Sequence, residues 1–139
     1  MATQFSVPQD PDQVWSVLTD FAGFNRWNSF MTAVSGKLAV GEKLSVTLSP
    51  SPGKQTTFKP TLLVVNNGRE LRWRGRLLVK GVFDGEHYWT LTRNNRGGTD
   101  IRHGEDFSGL LVGVVKPGSF KGGFERMNAD MSAELARRF

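Results

Sequence analysis

Apolar positions change their spacing twice along this chain, from helical to alternating and back to helical. Asp10-Pro11 marks a helix start, because Asp can cap free N–H groups and Pro fits the first turn. Val14, Trp15 and Leu18 then share one face. After Thr19-Asp20, Phe21, Phe24 and Trp27 continue at threefold spacing, which predicts a second short helix ending near Asn28. From Phe30 the period is two. Leu44, Val46 and Leu48 alternate with Lys43, Ser45 and Thr47, and Thr57 to Asn66 reads as one longer β-rich run. Leu71, Trp73 and Leu77 alternate with Arg72, Arg74 and Arg76. Phe83, His87, Trp89 and Leu91 alternate with Asp84, Glu86, Tyr88 and Thr90, and Ile101, His103, Glu105 and Phe107 with Asp100, Arg102, Gly104 and Asp106. Strict alternation predicts antiparallel strands with one buried face. Ser49 to Gly53, Asn66-Asn67-Gly68 and Asn94 to Gly98 are hairpin connections. Phe120, Phe124, Met127, Met131 and Leu135 return to spacings of three and four, a long amphipathic helix preceded by a Pro117-Gly118 turn.

The predicted order is a short strand, two short helices, about six antiparallel strands and one long helix, an α+β chain. A sheet with one apolar face must be covered, and only the last helix is large enough to cover it. A curved sheet wrapped around one helix leaves space between the two, the natural place for a small-molecule site.

Composition narrows the functional classes. With 139 residues the chain reads as one domain, and its four Trp and ten Phe exclude intrinsic disorder. No run of about 18 uncharged apolar residues exists, so no membrane span is expected. Zero cysteines exclude disulfides, thiol nucleophiles and cysteine-bound zinc. The first residues show no basic start leading into an apolar stretch, so no secretory signal and a cytoplasmic location are expected. The formal charge is +5; five basic residues fall between Arg69 and Lys80, where Arg72, Arg74 and Arg76 form an outward stripe, and the rest are scattered. A nucleic-acid face needs stacking aromatics beside its cations, and only Tyr88 has outward parity nearby. Asp84 and Glu86 point the same way, so the stripe reads as cross-strand ion pairs and no nucleic-acid partner is expected. Gly36 to Lys43 spaces two glycines like a phosphate loop but places Glu42 where Lys is needed, so it reads as a turn. Gly122-Gly123, at the start of the last helix, suggests either a hinge or a loop needing positive φ.

The string Val14-Trp15-Ser16-Val17-Leu18-Thr19-Asp20-Phe21, followed by Trp27-Asn28, resembles the opening of the START-like (SRPBCC) superfamily, in particular its bacterial polyketide cyclase/dehydrase-like branch. Gly85-Glu86-His87, Glu105 to Leu110 and Gly123 to Asn128 are similar to the same branch, and the resemblance runs from about Phe5 to Leu135. It implies the helix-grip fold: a seven-stranded curved antiparallel sheet gripping the last helix, with a hydrophobic cavity between them. It also implies a hydrophobic ligand such as a lipid, sterol or polyketide, with a minority of cyclases and aromatases. No cofactor is implied, and monomer and homodimer stay open. Thr3 to Val7 is short for the family's first strand, which predicts a frayed sheet edge.

His87, His103 and Glu105 are the informative cluster. All three share the parity of buried residues, where an ionisable group is costly unless paired or wetted. They can serve as polar anchors for a ligand, as an acid–base group with Glu105 as base and His103 or His87 as partner, or as a Glu–His pair that only fixes the sheet. Desolvation should raise the Glu105 pKa and lower those of the histidines. Two His and one carboxylate also form a metal-ligand set, but the resembling branch implies no metal. The cavity wall is expected from Trp27, Phe58, Trp73, Phe83, Trp89, Phe107 and Phe124, with Met127 and Met131 as adaptable contacts and Asn128 as a polar anchor beside them.

Overall fold

A computed structural model describes residues 1–76, 84–108 and 120–139. In chain order the elements are β1 (Ala2–Val7), α1 (Pro11–Leu18), a 3-10 turn (Phe21–Gly23), α2 (Phe24–Trp27), β2 (Met31–Ser35), β3 (Ser45–Ser51), β4 (Lys54–Phe58), β5 (Thr61–Asn66), β6 (Glu70–Arg76), β7 (Asp84–Arg93), β8 (Thr99–Ser108) and α3 (Lys121–Arg138). Phe83, Leu77 and the Pro117-Gly118 turn lie outside the described residues.

Local chemistry accounts for the start. Asp10 accepts from the Gln13 backbone N–H at 2.8 Å while the Gln13 side chain accepts from the Asp10 N–H at 3.0 Å, a reciprocal cap with Pro11 in the first turn. Val14, Val17 and Leu18 are buried. Hairpins form where predicted. Gly53 and Gly68 sit at positive φ in their turns, and Asn94 Oδ1 accepts from the Arg96 and Gly98 N–H groups.

Two features differ from the expectation. Thr57 to Asn66 is not one strand. It breaks at Lys59-Pro60, because proline cannot donate to a ladder. The result is eight strands rather than seven, in a five-stranded sheet of order β1-β8-β7-β6-β5 and a three-stranded sheet of order β2-β3-β4. The two are joined at Lys43↔Thr61, with further bonds from Leu62 N to Glu42 O and Leu44 N to Pro60 O. Nor does the first strand fray. It pairs with β8 along its whole length, from Ala2↔Gly104 to Val7↔Thr99.

Helix α3 lays Phe124, Met127, Met131 and Leu135 into the core against Trp73, Trp89 and Ile101 of the sheet, as the spacing predicts. Gly122 and Gly123 lie inside the helix, and neither has positive φ, so the loop reading is corrected. Gly123 is buried where a Cβ would overlap the Phe30 ring, whereas Gly122 has nothing within 4 Å. On the outer face Arg72 bonds Glu70, Glu86 and Asp106 and lies over the buried Tyr88 ring, and Arg74 bonds Glu86. Ion pairs thus occupy these two guanidiniums of the basic stripe.

Candidate functional site

Register places the cluster. Trp73, His87 and Glu105 stand opposite one another on β6, β7 and β8, and Leu71, Trp89, His103 and Thr3 form the next row inward. Toward the other end, Gly75, Gly85 and Phe107 form a third row. Because side chains alternate along a strand, all three rows face α3.

The ionisable groups are wired in series. Glu105 Oε1 lies 2.7 Å from His87 Nδ1, His87 Nε2 lies 2.7 Å from His103 Nε2, and His103 Nδ1 lies 2.7 Å from Asn128 Oδ1. Asn128 Nδ2 donates to Thr3 Oγ1 at 2.8 Å, and Thr3 Oγ1 donates to the His103 carbonyl at 2.8 Å. His103 stacks on Phe124, nearly parallel at 4.5 Å between ring centroids, and on Trp89 at 4.9 Å. Trp73 stacks on His87 at 5.6 Å.

Burial sets the protonation preferences. Loss of solvent holds His87 at a pKa of about 3 and puts His103 well below its ordinary 6.5, with the neighbouring His87 adding to the latter and the Asn128 bond opposing it. Loss of solvent lifts the Glu105 carboxyl to about 8. The charges of Asp106 and Glu86 push the same way, and the Met1 amino group opposes them. At neutral pH the chain is therefore an acid and two neutral imidazoles. Among the described residues no group of three or more His, Asp or Glu is arranged to hold a metal ion.

An apolar recess opens beside Glu105. It is lined by Phe30, Met31, Leu48, Phe58, Trp73, Gly75, Gly85, His87, Glu105, Phe107, Phe120 and Phe124. It spans about 440 Å³ with its open mouth included, and a water-sized sphere moves freely through about 30 Å³ of it. Leu48, Phe58, Phe107 and Phe120 are only half-buried, so they form the part of the wall able to yield.

Of the expected wall, Phe58, Trp73, His87, Glu105, Phe107 and Phe124 line the recess, and Phe83 lies outside the described residues. Trp89, His103, Met127, Asn128 and Met131 are buried behind it, and Trp27 packs edge-on against Phe24. His103 therefore reaches the recess only through His87. Periodicity missed Gly75 and Gly85, which present no side chain yet create the space: a Cβ on Gly75 would stand 2.9 Å from the Phe58 ring, and one on Gly85 would overlap Glu105 Oε2. Their inward parity was the available signal. Phe30 sits at an element boundary, where parity gives no side, and Phe120, on the apolar stripe of the last helix, was not expected in the wall.

The profile of one family, described as polyketide cyclase / dehydrase and lipid transport, matches residues 1–139. The chain belongs to that family. Its fold is shared by solved structures of low identity. A START superfamily protein from Mycobacterium smegmatis superposes with a TM-score of 0.78 at 11% identity, over 100% of this chain and 98% of that one. A Mesorhizobium loti protein gives 0.73 at 20%, over 99% and 96%. A protein of the dynemicin biosynthetic locus gives 0.73 at 21%, over 98% of this chain and 46% of that one. No functionally curated protein matches the sequence significantly. The helix-grip architecture is thus shared, and no helix among the described residues is long and apolar enough to cross a membrane.

Proposed function

We propose that this family member binds a hydrophobic small molecule, a lipid, sterol or polyketide-like compound, between the sheet and α3. One observation carries the reading: an aromatic-walled recess in which Glu105 and His87 are the only ionisable groups of its described lining. Ligand-sized sites usually measure about 300–1,000 Å³, and the recess reaches about 440 Å³ only with its open mouth counted, so enclosing a ligand requires the half-buried wall of Leu48, Phe58, Phe107 and Phe120 to move outward. Native mass spectrometry of protein purified without denaturation, followed by organic extraction, tests this. A co-purifying apolar compound supports it. Apo protein that also ignores fatty acids, sterols and polyketide mimics would sink it.

A second reading, a cofactor-free cyclase or dehydratase, is favoured by the Glu105 carboxyl itself. A group with a pKa of about 8 at the wall of an apolar recess is matched to proton transfer near neutral pH. Glu105 Oε2 would take a proton from the substrate as Oε1 passes its own to His87 Nδ1, and the reverse would return it to the product. Turnover abolished in Glu105→Gln with ligand affinity preserved supports this reading; turnover unchanged in that variant excludes it.

A further inference from the structure

The hydrogen-bond chain has a direction, and that direction decides what Glu105 offers a ligand. The His103 carbonyl can only accept, so the Thr3 hydroxyl proton points at it. Thr3 Oγ1 must then receive the Asn128 amide N–H, which turns Asn128 Oδ1 toward His103. His103 donates from Nδ1, and its buried, neutral ring leaves Nε2 as an acceptor. His87 therefore donates from Nε2. One proton remains for the 2.7 Å contact between His87 Nδ1 and Glu105 Oε1. On either side of that contact it leaves Oε2 bare. Oε2 lies over Gly85, where no side chain stands, and has no hydrogen-bond partner among the described residues.

We infer that Glu105 Oε2 is a hydrogen-bond acceptor facing the recess, so that the site selects neutral aromatic molecules carrying a hydroxyl over their methyl ethers and their carboxylates. This rests on the recess being a ligand site and names the ligand's polar group. A hydroxyl satisfies Oε2, an ether oxygen leaves it unpaired, and a carboxylate sets acceptor against acceptor. No Lys or Arg is among the described lining residues to offset that charge. Among the described residues the charged groups around Glu105 are Glu86 and Asp106, engaged with Arg72, and the Met1 amino group, which donates to the Glu105 backbone oxygen at 3.0 Å; α3 contributes the neutral Asn128 through the histidines. Six aromatic rings in the wall, Phe30, Phe58, Trp73, Phe107, Phe120 and Phe124, favour a flat ligand.

The probes are 2-naphthol, 2-methoxynaphthalene and 2-naphthoate, with dissociation constants measured by titration calorimetry at pH 6.5. The naphthol should bind at least about tenfold more tightly than either analogue, the ratio expected for one hydrogen bond to an otherwise unpaired buried acceptor. Glu105→Gln, whose amide donates to His87 and turns its carbonyl to the recess, should keep this order, and Glu105→Leu should lose it. Nitrogen-15 spectra should find His103 protonated at Nδ1 and His87 at Nε2. An ether equal to the naphthol, a carboxylate binding best, the opposite tautomers, or loss of the order in Glu105→Gln each overturns the inference and leaves the ligand site standing. Failure of all three probes overturns the inference, and the ligand site then stands or falls on the fatty-acid and sterol tests of the proposed function.

Discussion

Asn128 holds its neighbours through a geometry that no other side chain reproduces. It accepts from an imidazole and donates to a hydroxyl within the space between α3 and β1. Replacing it by leucine leaves the His103 N–H without a buried partner and removes the donor to Thr3. Asn128→Leu should therefore cost about 2–4 kcal/mol in denaturant unfolding. Asn128→Asp should also be unfavourable, because its carboxylate has no proton to give Thr3. At this scale the sequence was informative but incomplete. Parity put His87, His103 and Glu105 on one face. It did not reveal that the two histidines touch each other, or that Asn128 closes the chain from the helix side. Those contacts depend on strand register and helix rotation, which alternation alone leaves free.

The packing of α3 is decided by two adjacent glycines with opposite roles. Gly122 is exposed with open space around it, so Gly122→Ala should stabilise the helix by up to about 1 kcal/mol. Gly123 lets the helix approach Phe30, so Gly123→Ala should destabilise by about 1–3 kcal/mol despite the same gain in helix propensity. Thermal unfolding of the pair checks this, and equal shifts of the same sign would refute it. Because Phe30 also lines the recess, Gly123→Ala should weaken ligand binding as well. Sequence spacing placed the apolar stripe of this helix correctly but gave the two glycines the same reading. The difference between them is a distance to another element.

For the whole molecule, the buried cluster shapes the dependence of stability on pH. Glu105 is raised from 4.5 to about 8, so folding favours its protonated form. Its contribution is intact below pH 4.5 and falls as pH rises toward 8. The histidines are depressed below 6.5, so folding favours their neutral forms, and their contribution is intact above 6.5 and falls as pH drops toward 3. The two slopes oppose each other between 4.5 and 6.5, where two histidines outweigh one carboxyl. The cluster is therefore most favourable near pH 6.5. Between pH 6.5 and 8 the wild-type protein should lose roughly 1–2 kcal/mol that Glu105→Gln does not lose, as read by urea unfolding at both values. A wild-type loss matched by the variant would place the cause elsewhere.

What the sequence determined by itself is the set of elements and their buried faces. Period two and period 3.6 are local properties of the backbone, and turns such as Asn66-Asn67-Gly68 carry their own chemistry. Those signals sufficed for an α+β chain with a sheet covered by its last helix. The break at Pro60 lay in the sequence too, hidden inside a run of β-forming residues. Tertiary structure alone decided the rest. It set which row each inward residue occupies, how much of the space between sheet and helix the side chains fill, and which way a proton points along five residues from Thr3 to Glu105. These properties arise where segments distant in sequence meet, as Thr3 and Asn128 do, and no local pattern carries the distance between them.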